Sequence, residues 1–261
     1  MKQVKSLLIT AVLLVMVSCG GGDGELTVFA AASMQEALTE IGEAYMAERQ
    51  DIRLVFHFDS SGTLQTQIEE GAVCDVFISA GQQQMERLDE QGMLLGGSGV
   101  NLLENQVVLA TEAGAQSVNS FDALKCALEE GTVLLAMGNS GVPAGQYAQK
   151  ILEYLGLDEA ALAASGQISY GSNVKEVSTQ ISEGVVDCGI IYATDAKAAG
   201  LEIVDSAGEE MCGHVIYPAS ILEASTRRDE AMDFLSYLRS EAGRARLEAY
   251  GFTPYGDDPL A

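Results

Sequence analysis

The 261-residue chain is short of cations. It has 14 lysines and arginines against 38 aspartates and glutamates, a formal net charge of -24. A nucleic-acid binder needs a basic face, and so few cations cannot build one. Histidine is scarcer still. With only two, His57 and His214, a zinc enzyme built on several histidines is excluded by count. There is no tryptophan and no Cys-x-x-Cys pair. The apolar run Leu7 to Val17 falls short of the ~20 residues that cross a bilayer. Aliphatic and aromatic residues make up 48% and charged residues 20%, a globular mix that argues against disorder, collagen and coiled coil.

The N-terminus reads as an address. Lys2 and Lys5 precede the apolar run, and Ser18, Cys19 and Gly20 close it, as in a secretory signal peptide. Met16-Val17-Ser18-Cys19-Gly20 also resembles a bacterial lipobox, in which the cysteine is lipidated and becomes the new N-terminus. The expectation is a signal peptide over 1–18, lipidation at Cys19 and a glycine-rich tether over 19–24, outside the cytoplasm. Cys74, Cys126, Cys188 and Cys212 remain, either as buried thiols or with at least one bridge, for which three pairings are possible.

Strands and helices alternate. Leu26–Ala30, Ile52–Phe58 and Val73–Ser79 read as strands. Between them, Met34–Arg49 has helical apolar spacing, and Thr63–Glu70 is a short helix closed by Gly71. This rhythm predicts an α/β fold with largely parallel sheets. Shifting the chain by 113 residues lays Ile68–Ala80 over Ile181–Ala193 with six identities, among them Gly71/Gly184 and Ile78/Ile191. Two lobes of related build follow, with Tyr192 at the carboxyl end of a strand, where open α/β sheets bind ligands. Asn105–Thr111 and Gly213–Leu222 are the candidate crossings between lobes, and Asp229–Tyr250 reads as a helical tail returning to the first. The expected division is 25–106 with 217–261 as lobe 1, and 107–216 as lobe 2.

Four helix starts carry small neutral hydrogen-bonding residues. Ala30-Ala-Ala-Ser33 and Asp59-Ser-Ser-Gly-Thr63 follow the first two strands. Gly138-Asn-Ser-Gly-Val-Pro-Ala-Gly145 precedes a helix over Gln146–Leu155, and Gly171-Ser-Asn-Val-Lys-Glu176 opens another. Ser33-x-x-Glu36 and Asn173-x-x-Glu176 fit capping boxes, and Pro143 suits a first helical turn. Each alone is an ordinary cap. Converging, they would present unpaired N–H groups and partial positive charge to a small anion with no lysine or arginine beside it.

At these residues the chain resembles the periplasmic molybdate-binding proteins of bacterial ABC transporters, of the type II periplasmic-binding-protein fold. The resemblance spans Leu26 to Thr253. It rests on Val28-Phe-Ala-Ala-Ala-Ser33, Phe58-Asp-Ser-Ser-Gly-Thr-Leu64, Asp75-Val-Phe-Ile-Ser-Ala80, Val142-Pro-Ala-Gly-Gln-Tyr-Ala148, Gly189-Ile-Ile-Tyr-Ala-Thr-Asp-Ala196 and Tyr250-Gly-Phe-Thr253. It implies two lobes, each a mixed, mostly parallel sheet flanked by helices, with the ligand in the cleft between them. By resemblance, Ser33 and Ser61 give hydroxyl and amide donors, Ala144 and Val174 backbone amides, and Tyr192 its phenol. The ligand implied is molybdate or tungstate, with no cofactor and no chemistry done on it. The partner implied is a membrane permease, met by a monomer anchored through Cys19. Asp59 departs from the pattern, since an acid there raises the cost of a dianion unless it points away. Gly62 departs too, replacing a serine-like residue.

Two other classes compete. A same-fold binder of sulfate, thiosulfate, phosphate or an organic acid keeps the fold and changes the ligand. A carboxylate ligand calls for an arginine in the cleft, and Arg227-Arg228 lies away from the motifs. A secreted hydrolase would need a serine–histidine pair, and neither histidine lies in such a motif; Ser-Ser-Gly-Thr is not Gly-x-Ser-x-Gly. A surface adhesin would leave the helix starts without a purpose.

Overall fold

A computed structural model describes residues 24–115 and 117–256. The signal peptide, the lipidation site Cys19 and most of the tether lie outside the described residues.

The chain starts in the first lobe: β1 (Glu25–Ala31), a 3-10 turn (Ala32–Met34), α1 (Gln35–Glu48), β2 (Arg53–Asp59), α2 (Ser61–Glu69), β3 (Val76–Ile78), α3 (Gln82–Glu90) and β4 (Val100–Asn105). It then builds the second: β5 (Val107–Thr111), α4 (Phe121–Glu130), β6 (Leu135–Gly138), α5 (Pro143–Tyr154), α6 (Glu159–Ala164), β7 (Ile168–Gly171), α7 (Val174–Ser182), β8 (Cys188–Tyr192), α8 (Ala193–Ala198), β9 (Glu202–Ser206) and α9 (Glu209–Cys212). It returns through β10 (Val215–Ile221) to α10 (Arg228–Arg239), α11 (Glu241–Ala249) and the short β11 (Thr253–Pro254).

The strands form two sheets, ordered β11-β4-β10-β3-β1-β2 and β7-β6-β8-β5-β9. Read from β2 and from β7, the two orders correspond over five places, with β11 an addition at the sixth. Parallel triplets β2-β1-β3 and β7-β6-β8 match, and β3 and β8 occupy the same position. That is the pair the 113-residue repeat superposes. Beside each triplet lies the strand that enters from the other lobe, β10 or β5, running antiparallel. A strand arriving from the opposite lobe must run against those that rise from within. The parallel expectation therefore holds for the triplets, while the crossing and edge strands make each sheet mixed.

Burial follows topology. β3, β5, β6, β8 and β10 are buried at every position, inside their sheets. Strands covered on both faces read as continuous apolar runs rather than alternating ones.

Three expectations need correction. The tail is two helices, because Ser240 is extended (ψ 163°) and its hydroxyl accepts the Gly243 N–H at 3.2 Å, capping α11. The strand expected over Asn105–Thr111 is broken at Gln106 between β4 and β5, where the chain changes sheet. The second crossing, β10, pairs with the first sheet from Val215, two residues ahead of the expected return at 217. The four cysteines are free thiols, Cys74, Cys188 and Cys212 buried and Cys126 exposed.

Candidate functional site

The carboxyl ends of the parallel strands face one another across the interlobe cleft. Ser33 follows β1, Ser61 follows β2, Ala144 follows β6, Val174 follows β7, and Tyr192 ends β8. All five are buried.

The first N–H groups of a helix have no partner within it. In α2, Ser60 is the cap: its hydroxyl accepts the Thr63 N–H at 3.1 Å. Gly62 donates its N–H across the cleft to the Gly141 carbonyl at 3.1 Å. Of the first three amides, that of Ser61 remains. In α5 the first residue is Pro143, which has no N–H, so Ala144 presents the leading amide. Gly145 permits this geometry, since a Cβ there would lie 2.2 Å from the Gly138 carbonyl oxygen at the end of β6. In α7, Asn173 is the cap and accepts the Glu176 N–H at 3.0 Å, leaving Val174 and Lys175 to lead. The Glu176 carboxylate reaches Ser172, accepting its N–H and its hydroxyl, each at 2.7 Å.

Ser33 does not cap a helix. No side-chain cap bond forms at either the 3-10 turn or α1, whose N-caps are Ala31 and Met34. The Ser33 hydroxyl instead lies 3.0 Å from the phenolic oxygen of Tyr217, 184 residues away in β10. Tyr217 also accepts from Asn105 Nδ2 at 3.1 Å, and Asn105 Nδ2 donates to Thr194 Oγ1 at 2.9 Å. In the sequence Tyr217 stands out only as part of a crossing segment, and no local signal marks it as a neighbour of the site.

A second chain of bonds links Ser61 to Tyr192 through one residue. The Ala80 N–H donates to Ser61 Oγ at 2.9 Å, and the Tyr192 hydroxyl donates to the Ala80 carbonyl at 3.1 Å. The rings of Tyr147, Tyr192, Tyr217 and Phe252 meet edge to face in succession, at centroid distances of 6.4, 5.6 and 5.7 Å. Burial pushes the phenols of Tyr192 and Tyr217 well above their ordinary pKa, and the nearby Asp195 carboxylate adds to both. Both hydroxyls therefore stay protonated and neutral, that of Tyr192 donating to the Ala80 carbonyl. The arrangement offers neutral O–H and N–H groups from both lobes.

Two acids flank it. Asp59 accepts the N–H of Ser60 on Oδ1 at 2.7 Å, so its charge is engaged by the start of α2. Asp195 is buried, and burial pushes its carboxyl up to about 6 against the pull of Lys175. One expectation is corrected here: a cation does stand at a helix start, Lys175 on the first turn of α7. Its ammonium is committed to Glu36 and Asp195.

The remaining candidates stay apart from this cluster. The His57 ring packs 5.1 Å from Phe29. His214 Nε2 lies 3.0 Å from Glu209. Arg227 and Arg228 pair with Glu230 and Glu223. Among the described residues no group of three His, Cys, Asp or Glu could hold a metal ion, and no helix is long and apolar enough to cross a membrane.

Comparison with known proteins agrees with the architecture. Residues 26–253 match the model of a family described as bacterial extracellular solute-binding protein. The molybdate-binding protein ModA of Haemophilus influenzae is 34% identical over 88% of this chain and 90% of its own. That of Escherichia coli is 31% identical over the same shares. Among solved structures, the Azotobacter vinelandii periplasmic molybdate-binding protein superposes with a TM-score of 0.77 at 23% identity, covering 88% of this chain and all of that one. The sulfate-binding protein SubI of Mycobacterium tuberculosis superposes at 0.76 with 14% identity, covering 90% of this chain and 88% of its own, so the fold alone does not select the anion.

Proposed function

The chain belongs to the family of bacterial extracellular solute-binding proteins, and from that premise we propose that it captures molybdate, and tungstate as well, for an ABC transporter. What supports the reading is that Ser33, Ser61, Ala144 and Val174 follow, and Tyr192 ends, parallel strands of the two lobes, all five buried, with Ser61 and Tyr192 joined through Ala80. The site is a shell of neutral donors. Helix starts contribute partial positive charge without a counter-ion that would bind carboxylates. The close curated relatives that carry a ligand in their names are molybdate-binding proteins.

Charge cannot separate molybdate from sulfate, since both are tetrahedral dianions. Size can. Molybdate and tungstate have longer bonds to oxygen, and a shell fixed at their radius stretches two or three hydrogen bonds to sulfate, at ~1 kcal/mol or more each. Protonated phosphate brings a hydrogen into a shell of donors. Contacts from both lobes favour the closed arrangement, which is a population shift toward the form a permease would recognise. The protein acts outside the cytoplasm, as its family does. Lipid anchoring at Cys19, a monomeric state and docking on a membrane permease complete the proposal. No reacting group is assigned, and the two histidines are committed to packing and to Glu209.

Calorimetric titration of the purified protein with molybdate, tungstate, sulfate and phosphate tests this. Tight one-to-one binding of the first two with sulfate silent is expected. Tight sulfate or phosphate binding with molybdate silent would keep the fold and discard the ligand. Silence toward all four would discard the site.

A further inference from the structure

Lys175 joins three elements. Its ammonium stands 2.7 Å from Glu36 Oε2, on α1 of the first lobe, and 3.2 Å from Asp195 Oδ1, on α8 of its own lobe. The Asp195 side chain is wholly buried, and apart from the Lys175 ammonium neither oxygen has a hydrogen-bond donor among the described residues. The buried Asp75 shows how such a carboxylate is otherwise accommodated: it accepts the Thr27 N–H at 2.8 Å and the Ser225 hydroxyl at 2.7 Å. Asp195 has only the ammonium. A buried charge without hydrogen bonds depends on its ion partner.

The place of this pair matters. Asp195 lies three residues beyond Tyr192, and Lys175 one beyond Val174. The Asp195 charge is felt by the phenols of both Tyr192 and Tyr217. Lys197, on the same helix as Asp195, donates instead to the Ala249 carbonyl at 3.1 Å. The groups facing Asp195 are thus Lys175 from α7, Glu36 from α1, and the two phenols.

We propose that Lys175 is a positioning residue of the anion site: its ammonium cancels the Asp195 carboxylate behind the phenols and, through Glu36, ties the second lobe to the first. This rests on the oxyanion reading of that site. The two contacts do different work. The Lys175–Asp195 pair lies within one lobe and persists as the cleft opens. The Lys175–Glu36 pair crosses the cleft, so it stabilises only the closed arrangement and adds to what the ligand selects. Without Lys175, burial would push the Asp195 carboxyl up further, and wherever it is ionised a dianion would enter against an uncompensated charge, where low dielectric keeps the repulsion strong.

The test is calorimetric titration with molybdate of the purified wild-type protein and of Lys175→Met, Asp195→Asn, Glu36→Gln and the double variant Lys175→Met/Asp195→Asn, with thermal unfolding of each. Lys175→Met should weaken binding by about tenfold or more at alkaline pH, where Asp195 is ionised, and by less as the pH falls and Asp195 takes up a proton. The double variant, which removes both charges, should return to within about threefold of wild type. Glu36→Gln should release the anion several times faster in stopped flow. Asp195→Asn should bind as tightly as wild type or more so, which carries the test should Lys175→Met fail to fold. A lysine that merely holds the fold would lower the melting temperature of Lys175→Met and leave the affinity of its folded fraction at the wild-type value. Equal binding by Lys175→Met, a double variant as weak as the single one, or weaker binding by Asp195→Asn would overturn the proposal alone. A wild-type protein silent toward molybdate would overturn the reading of the site and the proposal with it.

Discussion

The backbones of Gly62 and Gly141 touch across the cleft, with the Gly62 N–H donating to the Gly141 carbonyl at 3.1 Å. A Cβ on Gly62 would lie 2.1 Å from that oxygen. Position 62 is thus where α2 meets the loop ahead of α5, and no side chain fits between them. Alanine is a good helix residue, so Gly62→Ala suits the first lobe by itself and obstructs only closure. Overpacking of this kind costs about 1–3 kcal/mol. We expect molybdate affinity to fall by about that much while the melting temperature of the anion-free protein is held. Titration and unfolding together decide it. A variant that closes and binds normally would show that this contact is not a constraint on closure.

Ser61 and Tyr192 come from different lobes and meet on Ala80, one at its N–H and the other at its carbonyl. Removing either hydroxyl from a buried position costs about 1–3 kcal/mol. Ser61→Ala and Tyr192→Phe should each weaken binding by that amount. Because both bonds fix the same peptide segment, the double variant should lose less than the sum, a coupling of about 0.5 kcal/mol or more. Strict additivity in a double-mutant cycle would mean that the two hydroxyls act independently of Ala80.

What the sequence made legible was local. Strand–helix order, the Asn173 cap and Pro143 at the start of α5 depend on neighbours within one turn, and the chain displays those neighbours. The repeat of Ile68–Ala80 in Ile181–Ala193 was legible because β3 and β8 hold the same place in two matching sheets. What was hidden is long-range. Ser33-x-x-Glu36 has the spacing of a capping box, yet the Ser33 hydroxyl turns to Tyr217 and Glu36 turns to Lys175, partners 184 and 139 residues away. A local cap is worth about 1 kcal/mol, which a buried hydroxyl pair and a cross-cleft ion pair can outweigh. The break at Ser240 was hidden for a related reason: serine is compatible with a helix interior, and its choice of the cap is set by how α11 packs.

The cysteines give a prediction independent of the ligand. Burial pushes the Cys188 thiol up to about 12 and raises those of Cys74 and Cys212 as well. The thiolate is the reactive form, so these three are protected twice, by access and by charge. In the native protein at pH 8, an alkylating reagent should modify Cys126 first, with Cys74, Cys188 and Cys212 following only on unfolding. Peptide mass spectrometry after a timed pulse reads this directly. Rapid labelling of Cys188 without unfolding would mean that the β8 core opens far more easily than its packing implies.

Asp195 sets a pH dependence of opposite sign to that of the usual carboxylate. Its folded pKa is about 6, above the ordinary 3.8, because burial disfavours its charge more than Lys175 favours it. Between about pH 4 and pH 6 the folded protein therefore holds a proton that the unfolded chain has released. Stability from this group is fully present below the lower value and is lost as pH rises through the upper one. The amide introduced by Asp195→Asn has no proton to lose, so the variant should gain on wild type across that window. The difference in melting temperature, variant minus wild type, should grow from about pH 4 to about pH 6 and then level off. Thermal unfolding of the two proteins over a pH series reads it. A difference that stays flat from about pH 4 to about pH 8 would mean that Lys175 compensates Asp195 completely in the folded protein, and that the buried carboxylate is ionised throughout.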